Sequence, residues 1–143
     1  MGNVGKKSEL KTIVFTSRFF DGKVLTFHLC GIEDDSGVLI PIEFQRLPFH
    51  PVRAFLVQAP SGTSRGGHGH RTGRQIFIRV SGEIEIELCW QNEEKCVVLG
   101  PNNNAILIAA PVWSRLIYHG ESPSLMALCD TPYDPSSYLY EKG

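Results

Sequence analysis

Nowhere in this chain do apolar residues recur at the three- and four-residue spacing of a helix face over several turns; they come in short runs separated by turn signals. Glu83-Ile84-Glu85-Ile86-Glu87-Leu88 alternates strictly. Successive side chains of a strand point to opposite faces, so one face of this segment is core and the other is wet. Its three glutamates therefore read as a solvated face rather than as acid–base catalysts. Residues 75–80 are apolar on both faces, as a strand covered on two sides must be. Further strands are expected over residues 12–15, 24–30, 38–44, 52–58, 95–99, 105–109, 115–119 and 125–129. Asp21-Gly22, Ser81-Gly82 and Gly100-Pro101 supply turns, and Pro41 marks its strand as an edge or a bulge. The tyrosine-rich tail from Tyr133 to Tyr140 reads as a short helix or a lid. Short strands with turn signals every eight to twelve residues or so predict an all-β sandwich or small barrel.

A chain of 143 residues is one domain by length, with residues 1–11 as a polar, flexible N-terminus and 12–143 as the folded unit. A net charge of −1 gives no case for nucleic acid or a membrane surface as partner. No apolar run is long enough to span a bilayer, and the first residues lack the apolar core of a secretory signal. Cys30, Cys89, Cys96 and Cys129 form no C-x-x-C pair. Zinc spacing is thus absent, and although Cys89 and Cys96 are placed to meet across a hairpin, free thiols in a reducing cytoplasm are the simpler reading.

The chemistry-bearing stretch is Arg65-Gly66-Gly67-His68-Gly69-His70-Arg71, just ahead of the buried strand. Two histidines two residues apart share one strand face. The glycines leave room for another molecule against the backbone. Six of the eight arginines lie between Arg46 and Arg79, around this pair. Arginine suits bidentate recognition of phosphate or carboxylate, so an anionic ligand is expected.

His68, His70, the four-residue gap to Gln75 and the later Gly82 resemble the first motif of the cupins, which are jelly-roll barrels. More specifically, the chain resembles the sugar-nucleotide 3,4-ketoisomerases, the FdtA/WxcM-like cupins that act on dTDP-4-keto-6-deoxyglucose. Their R-G-x-H-A-H segment is matched by Arg65, Gly66, His68 and His70, with Gly69 in place of alanine. Their L-P-F-x-x-x-R segment is matched by Leu47, Pro48, Phe49 and Arg53. Pro111 and Trp113 partly match a downstream G-P-x-x-W segment, and Tyr133, Asp134 and Tyr138 partly match a tail Y-D-E-x-D-Y segment. The resemblance runs from about Asp35 to Tyr140. It implies a single-domain cupin jelly roll (a double-stranded β-helix), a nucleotide-linked keto-sugar as ligand and no cofactor; a homodimer is expected as well, because edge strands in such sandwiches are often covered by a partner.

Moving a ketone from C4 to C3 of a hexose removes the proton on C3, passes through an enediolate and returns a proton at C4. Histidine, with an ordinary pKa of about 6.5, suits both transfers. The resemblance favours His68 as base, with His70 orienting the sugar or stabilising the enediolate. Arg65 is expected to hold the anionic intermediate and to disfavour protonation of His68. Arg53, Arg71 and Arg74 are candidates for the diphosphate, Tyr133 or Tyr138 for a wall against the nucleotide base, and Gln75, Phe55 and Trp113 for the remaining substrate contacts. Three departures matter: Phe55 stands where the family usually has tyrosine, Ser114 where it often has histidine, and Pro135 and Ser137 where it has acidic residues. Two imidazoles and the neutral amide of Gln75 make a poor divalent-metal set, so a metal-free site is expected and a metal-dependent dioxygenase is disfavoured. A non-catalytic sugar-nucleotide-binding cupin and a jelly-roll sugar-nucleotide epimerase are the alternatives.

Overall fold

The computed structural model describes residues 12–142; the expectation of a flexible residue 1–11 segment lies outside them. Its eleven strands are β1 (Ile13–Phe19), β2 (Val24–Leu29), β3 (Ile32–Asp34), β4 (Gly37–Leu39), β5 (Arg53–Gln58), β6 (Ser64–His70), β7 (Arg74–Trp90), β8 (Glu93–Leu99), β9 (Ala105–Ala109), β10 (Trp113–Cys129) and β11 (Tyr138–Leu139). All pairings are antiparallel. The described helical content is two 3-10 turns, Phe44–Arg46 and Pro135–Ser137. No helix among the described residues is long and apolar enough to cross a membrane.

Two strands of 17 residues, β7 and β10, build both layers. Their far halves pair as Gln75↔Cys129 through Arg79↔Leu125, flanked by β9 on one side and β5 on the other. Beyond β9 come β2 and β1. Their near halves pair as Ile84↔Tyr118 through Cys89↔Trp113, flanked by β8 and by β6, with β11 beyond β6. The register shifts between His119 and Leu125, where both strands bend from one layer into the other. Gly82 allows the bend: its φ is +68°, and a Cβ there would lie 2.5 Å from the His119 carbonyl oxygen. Ser81-Gly82 is therefore a bulge inside one strand rather than the turn between two, and residues 115–119 and 125–129 likewise belong to one strand. This is the expected jelly roll.

Alternation then sorts the side chains. Phe77, Leu125 and Ala127 of the first layer pack against Ile84, Ile86, Leu88, Leu99, Leu116 and Tyr118 of the second. The opposite face of the first layer, with Phe27, Leu29, Ile76, Ile78, Leu107 and Leu128, is covered by Leu47, Phe49, Ile40 and Ile42. That second cover is why residues 75–80 are apolar on both faces. Burial of Phe49, 5% exposed, contributes about 1.5–3 kcal/mol. The strand expected over 38–44 stops at Leu39, because Pro41 has no N–H for a ladder; its remainder is the arm that covers this face. Of the glutamates, Glu83 is exposed, Glu85 pairs with His119 at 2.9 Å and Glu87 with Arg115 at 2.6 Å. They form a cross-strand ionic face, as the alternation predicts. The four cysteines are free thiols; Cys89 lies opposite Glu94 and Cys96 opposite Glu87, so the two do not meet.

Candidate active site

The layers are joined at the bend and part at the other end. There Arg53 and Gln75 of the first layer face Ser114 and His68 of the second, across a cavity of about 460 Å³, a size that suits a small organic ligand. Phe77, Ile108, Val112 and Leu116 give it apolar walls, and Arg53, His68, His70, Gln75 and Ser114 supply polar groups.

β6 carries both histidines as strand residues. His68 lies opposite Ser114, but Gly66 lies opposite Arg115, so Gly67 is an extra, bulged residue with φ +83°. Between the histidines, a Cβ on Gly69 would lie 2.8 Å from the Val112 carbonyl oxygen and 2.9 Å from that of Pro111. Glycine lets β6 press against the start of β10 at that point while its two neighbours turn into the cavity. The imidazole rings stand 5.2 Å apart at 87°. His68 Nδ1 and His70 Nε2 are buried with no hydrogen-bond partner, ready for a ligand's polar groups.

Burial lowers the His68 pKa below 6.5, against the opposing effect of the Gly69 carbonyl. For His70, burial again leads, followed by the positive charges of His68 and Arg53. The guanidinium that bears on the pair is thus Arg53, through His70; the effect expected of Arg65 on His68 is absent, because Arg65 lies beside Tyr118 and does not line the cavity. Burial thus disfavours the charged form of both imidazoles.

Arg53 lies between two aromatic faces, 4.9 Å from the Phe55 ring centre and 5.1 Å from that of Tyr133. No carboxylate pairs with it among the described residues. It is a partly buried cation lining the cavity, of a kind that suits an anionic ligand. Arg74 also lines the cavity, but its Nε donates to Asp130 at 2.8 Å and its head covers Phe49. Arg71 is exposed and contributes its backbone instead: its N–H donates to the Ser137 carbonyl at 2.8 Å and contacts Oγ at 3.1 Å. Trp113 is 6% exposed and points away from the cavity lining, with Lys142 over its ring at 4.8 Å. Gln75 donates through Nε2 to Cys129 Sγ at 3.6 Å. Phe55, Tyr133 and Tyr138 line the cavity. Among the described residues no three His, Cys, Asp or Glu side chains converge to hold a metal.

Two residues gained meaning that the sequence reading did not give them. Ser114 is more than a missing histidine: it lines the cavity opposite His68. Ser137 is buried and anchors the tail to β6 through Arg71. Asp134-Pro135-Ser136, where the Asp134 carboxylate accepts from Ser136 N at 3.0 Å, is a legible turn signal for that anchor.

Residues 22–143 match the family described as FdtA: WxcM-like, C-terminal. No curated protein matches the chain. Among solved structures, QdtA, a sugar 3,4-ketoisomerase from Thermoanaerobacterium thermosaccharolyticum in complex with TDP, is 25% identical with a TM-score of 0.73, over 92% of this chain and 90% of that one. WlaRB, a TDP-quinovose 3,4-ketoisomerase from Campylobacter jejuni, is 23% identical with a TM-score of 0.74, over 82% and 92%. The epimerase RmlC from Legionella pneumophila shares the fold at 13% identity and a TM-score of 0.74, over 88% and 76%.

The histidine pKa shifts predict a pH effect on stability. A folded-state pKa below the unfolded value of about 6.5 means that the unfolded chain binds more protons in the window beneath it. Stability is then full above that window and falls as pH drops through it. Urea melts at pH 7.5 and 5 should show a loss that is smaller in the His68→Asn, His70→Asn double variant; an equal loss in both would mean that the histidines are not desolvated. With these features in place, the family assignment is plain: the chain belongs to the FdtA/WxcM-like C-terminal domain family.

Proposed function

We propose that this chain is a metal-independent sugar-nucleotide 3,4-ketoisomerase that converts a dTDP-4-keto-6-deoxyhexose to the 3-keto sugar. The observation that carries the reading is the pair of partly buried imidazoles, which burial biases toward the neutral form, sharing one cavity with an arginine that pairs with no carboxylate among the described residues. QdtA, which a separate structure shows with TDP-4-keto-6-deoxyglucose, supplies the substrate class. His68 takes the C3 proton, leaving an enediolate, and, after exchange of that proton with solvent, delivers a proton to C4 on the same face of the sugar. The C3 hydroxyl loses its proton as it becomes the ketone, and O4 gains one; His70 is placed to carry that transfer. The enediolate needs donors, for which the protonated His68 and the Ser114 hydroxyl are at hand. Arg53 holds the diphosphate, with Arg74 at the rim, and Tyr133 offers a face to the base. Two imidazoles and an amide suit proton transfer better than divalent-metal binding. The four unpaired thiols suit a reducing compartment such as the cytoplasm.

A second reading, sugar-nucleotide binding without turnover, has one observation in its favour: Phe55 brings no hydroxyl to the wall beside Arg53. Incubation with dTDP-4-keto-6-deoxyglucose, followed by NMR, separates the two. The 3-keto product is expected. Arg53→Ala should raise KM at least tenfold, since a charge-assisted contact is worth about 1.5–3 kcal/mol, with a smaller change in kcat. Binding of the sugar nucleotide without product would establish the non-catalytic reading, and an epimerised 4-keto product the epimerase.

The assembly proposed is a homodimer. Among the described residues β5 pairs on one side alone, with β10; Leu56 on its outward face is 73% exposed, and Val52 just ahead of the strand is 59% exposed. Apolar edge strands are commonly covered by a second copy. Light scattering at micromolar concentration should give twice 15.9 kDa; a mass of 15.9 kDa would contradict the dimer.

A further inference from the structure

Tyr138 touches both histidines. Its ring lies parallel to that of His68, at 9° with centres 4.2 Å apart, and edge-on to His70 at 4.9 Å. The backbone puts it there. β11 pairs with β6 as Tyr138↔His70 and Leu139↔Gly69. The preceding turn, Pro135–Ser137, is capped by Asp134 and tied to Arg71 through Ser137. The tail thus returns across the chain to lay one aromatic face on the imidazole.

His68 needs such support. Its Nδ1 is buried with no well-formed hydrogen bond among the described residues, and the Gly69 backbone, which favours its charged form, does not by itself hold the ring plane. The groups around it are His70 on the same strand, Ser114 on β10, Tyr138 and Tyr140 on the tail, and beyond His70 the Arg53 guanidinium with Tyr133. The Asp134 carboxylate at the cavity rim is already engaged by Ser136 N and Oγ. His70 and Arg53 oppose a positive charge at this place. The Tyr138 face and the Gly69 carbonyl favour it, because the negative face of an aromatic ring attracts a cation.

We propose that Tyr138 is a positioning residue for proton transfer: its ring holds the plane of the His68 imidazole and stabilises the imidazolium formed when His68 takes the substrate's proton. This rests on the ketoisomerase reading and extends it to a side chain outside the histidine strand. Tyr138 acts through His68 rather than on the sugar, and its ring matters more than its hydroxyl.

Two variants separate ring from hydroxyl: Tyr138→Leu removes the aromatic face, and Tyr138→Phe keeps it. The first readout is the NMR titration of the His68 imidazole in the protein without substrate. Tyr138→Leu should titrate at lower pH than the wild type, and Tyr138→Phe with the wild type. The second is steady-state kinetics. Tyr138→Leu should lose about three- to tenfold in kcat with little change in KM, as expected from an aromatic pair, and Tyr138→Phe should recover most of that loss. A His68 titration unchanged in Tyr138→Leu overturns the proposal, as does a loss confined to KM, which would make Tyr138 a wall for the substrate. The titration is read without turnover. A shifted titration in a protein that makes no 3-keto product would remove the role in proton transfer and, separately, the ketoisomerase reading.

Discussion

Everything in this fold depends on two strands changing layers at one bend. β7 and β10 run 17 residues each, and a single ladder between them passes from one sheet to the other. The bend works because Gly82 has no Cβ to meet the His119 carbonyl and Pro123. Joined there and packed by Ile84, Ile86, Leu116, Leu125 and Tyr118, the layers diverge at the opposite end, where the core runs out. The cavity is the consequence. Its first-layer wall includes Arg53, Gln75 and Ile108, set side by side by strand register, and its second-layer wall is made by β6 and the start of β10.

The electrostatics follow from that placement. The histidines face inward at the mouth, where burial lowers their pKa while the cavity leaves them within reach of a ligand. Arg53 lies between aromatic faces, and no carboxylate pairs with it among the described residues. A cation that suits the anionic half of a ligand and a pair of imidazoles able to move protons thus share one cavity. The anion would be held several bonds from the carbon that reacts, so binding and proton transfer are separable functions of separate residues.

Much of this was legible in the chain. Alternation over Glu83–Leu88 and two-faced apolarity over residues 75–80 are local consequences of sheet geometry, and His68 and His70 share a face for the same reason. The local signals misled where context decides. Ser81-Gly82 has turn chemistry, but the ladder continues through it as a bulge. Among the arginines, sequence proximity to the histidines ranked Arg65 and Arg71 with Arg53, yet Arg53 arrives from another strand while Arg65 lies by Tyr118. The stacking of Tyr138 on His68 joins residues 70 apart in sequence and depends on the tail's return to β6, which no local pattern encodes.

The account's central claim is that His68, placed at the open end of the sandwich, moves the proton between sugar carbons. Solvent exchange reads that step directly. Wild-type protein in D2O with dTDP-4-keto-6-deoxyglucose should place deuterium on the sugar at the isomerised carbons. His68→Asn should bind TDP with near wild-type affinity and incorporate none. Exchange by His68→Asn at the wild-type rate would contradict the account.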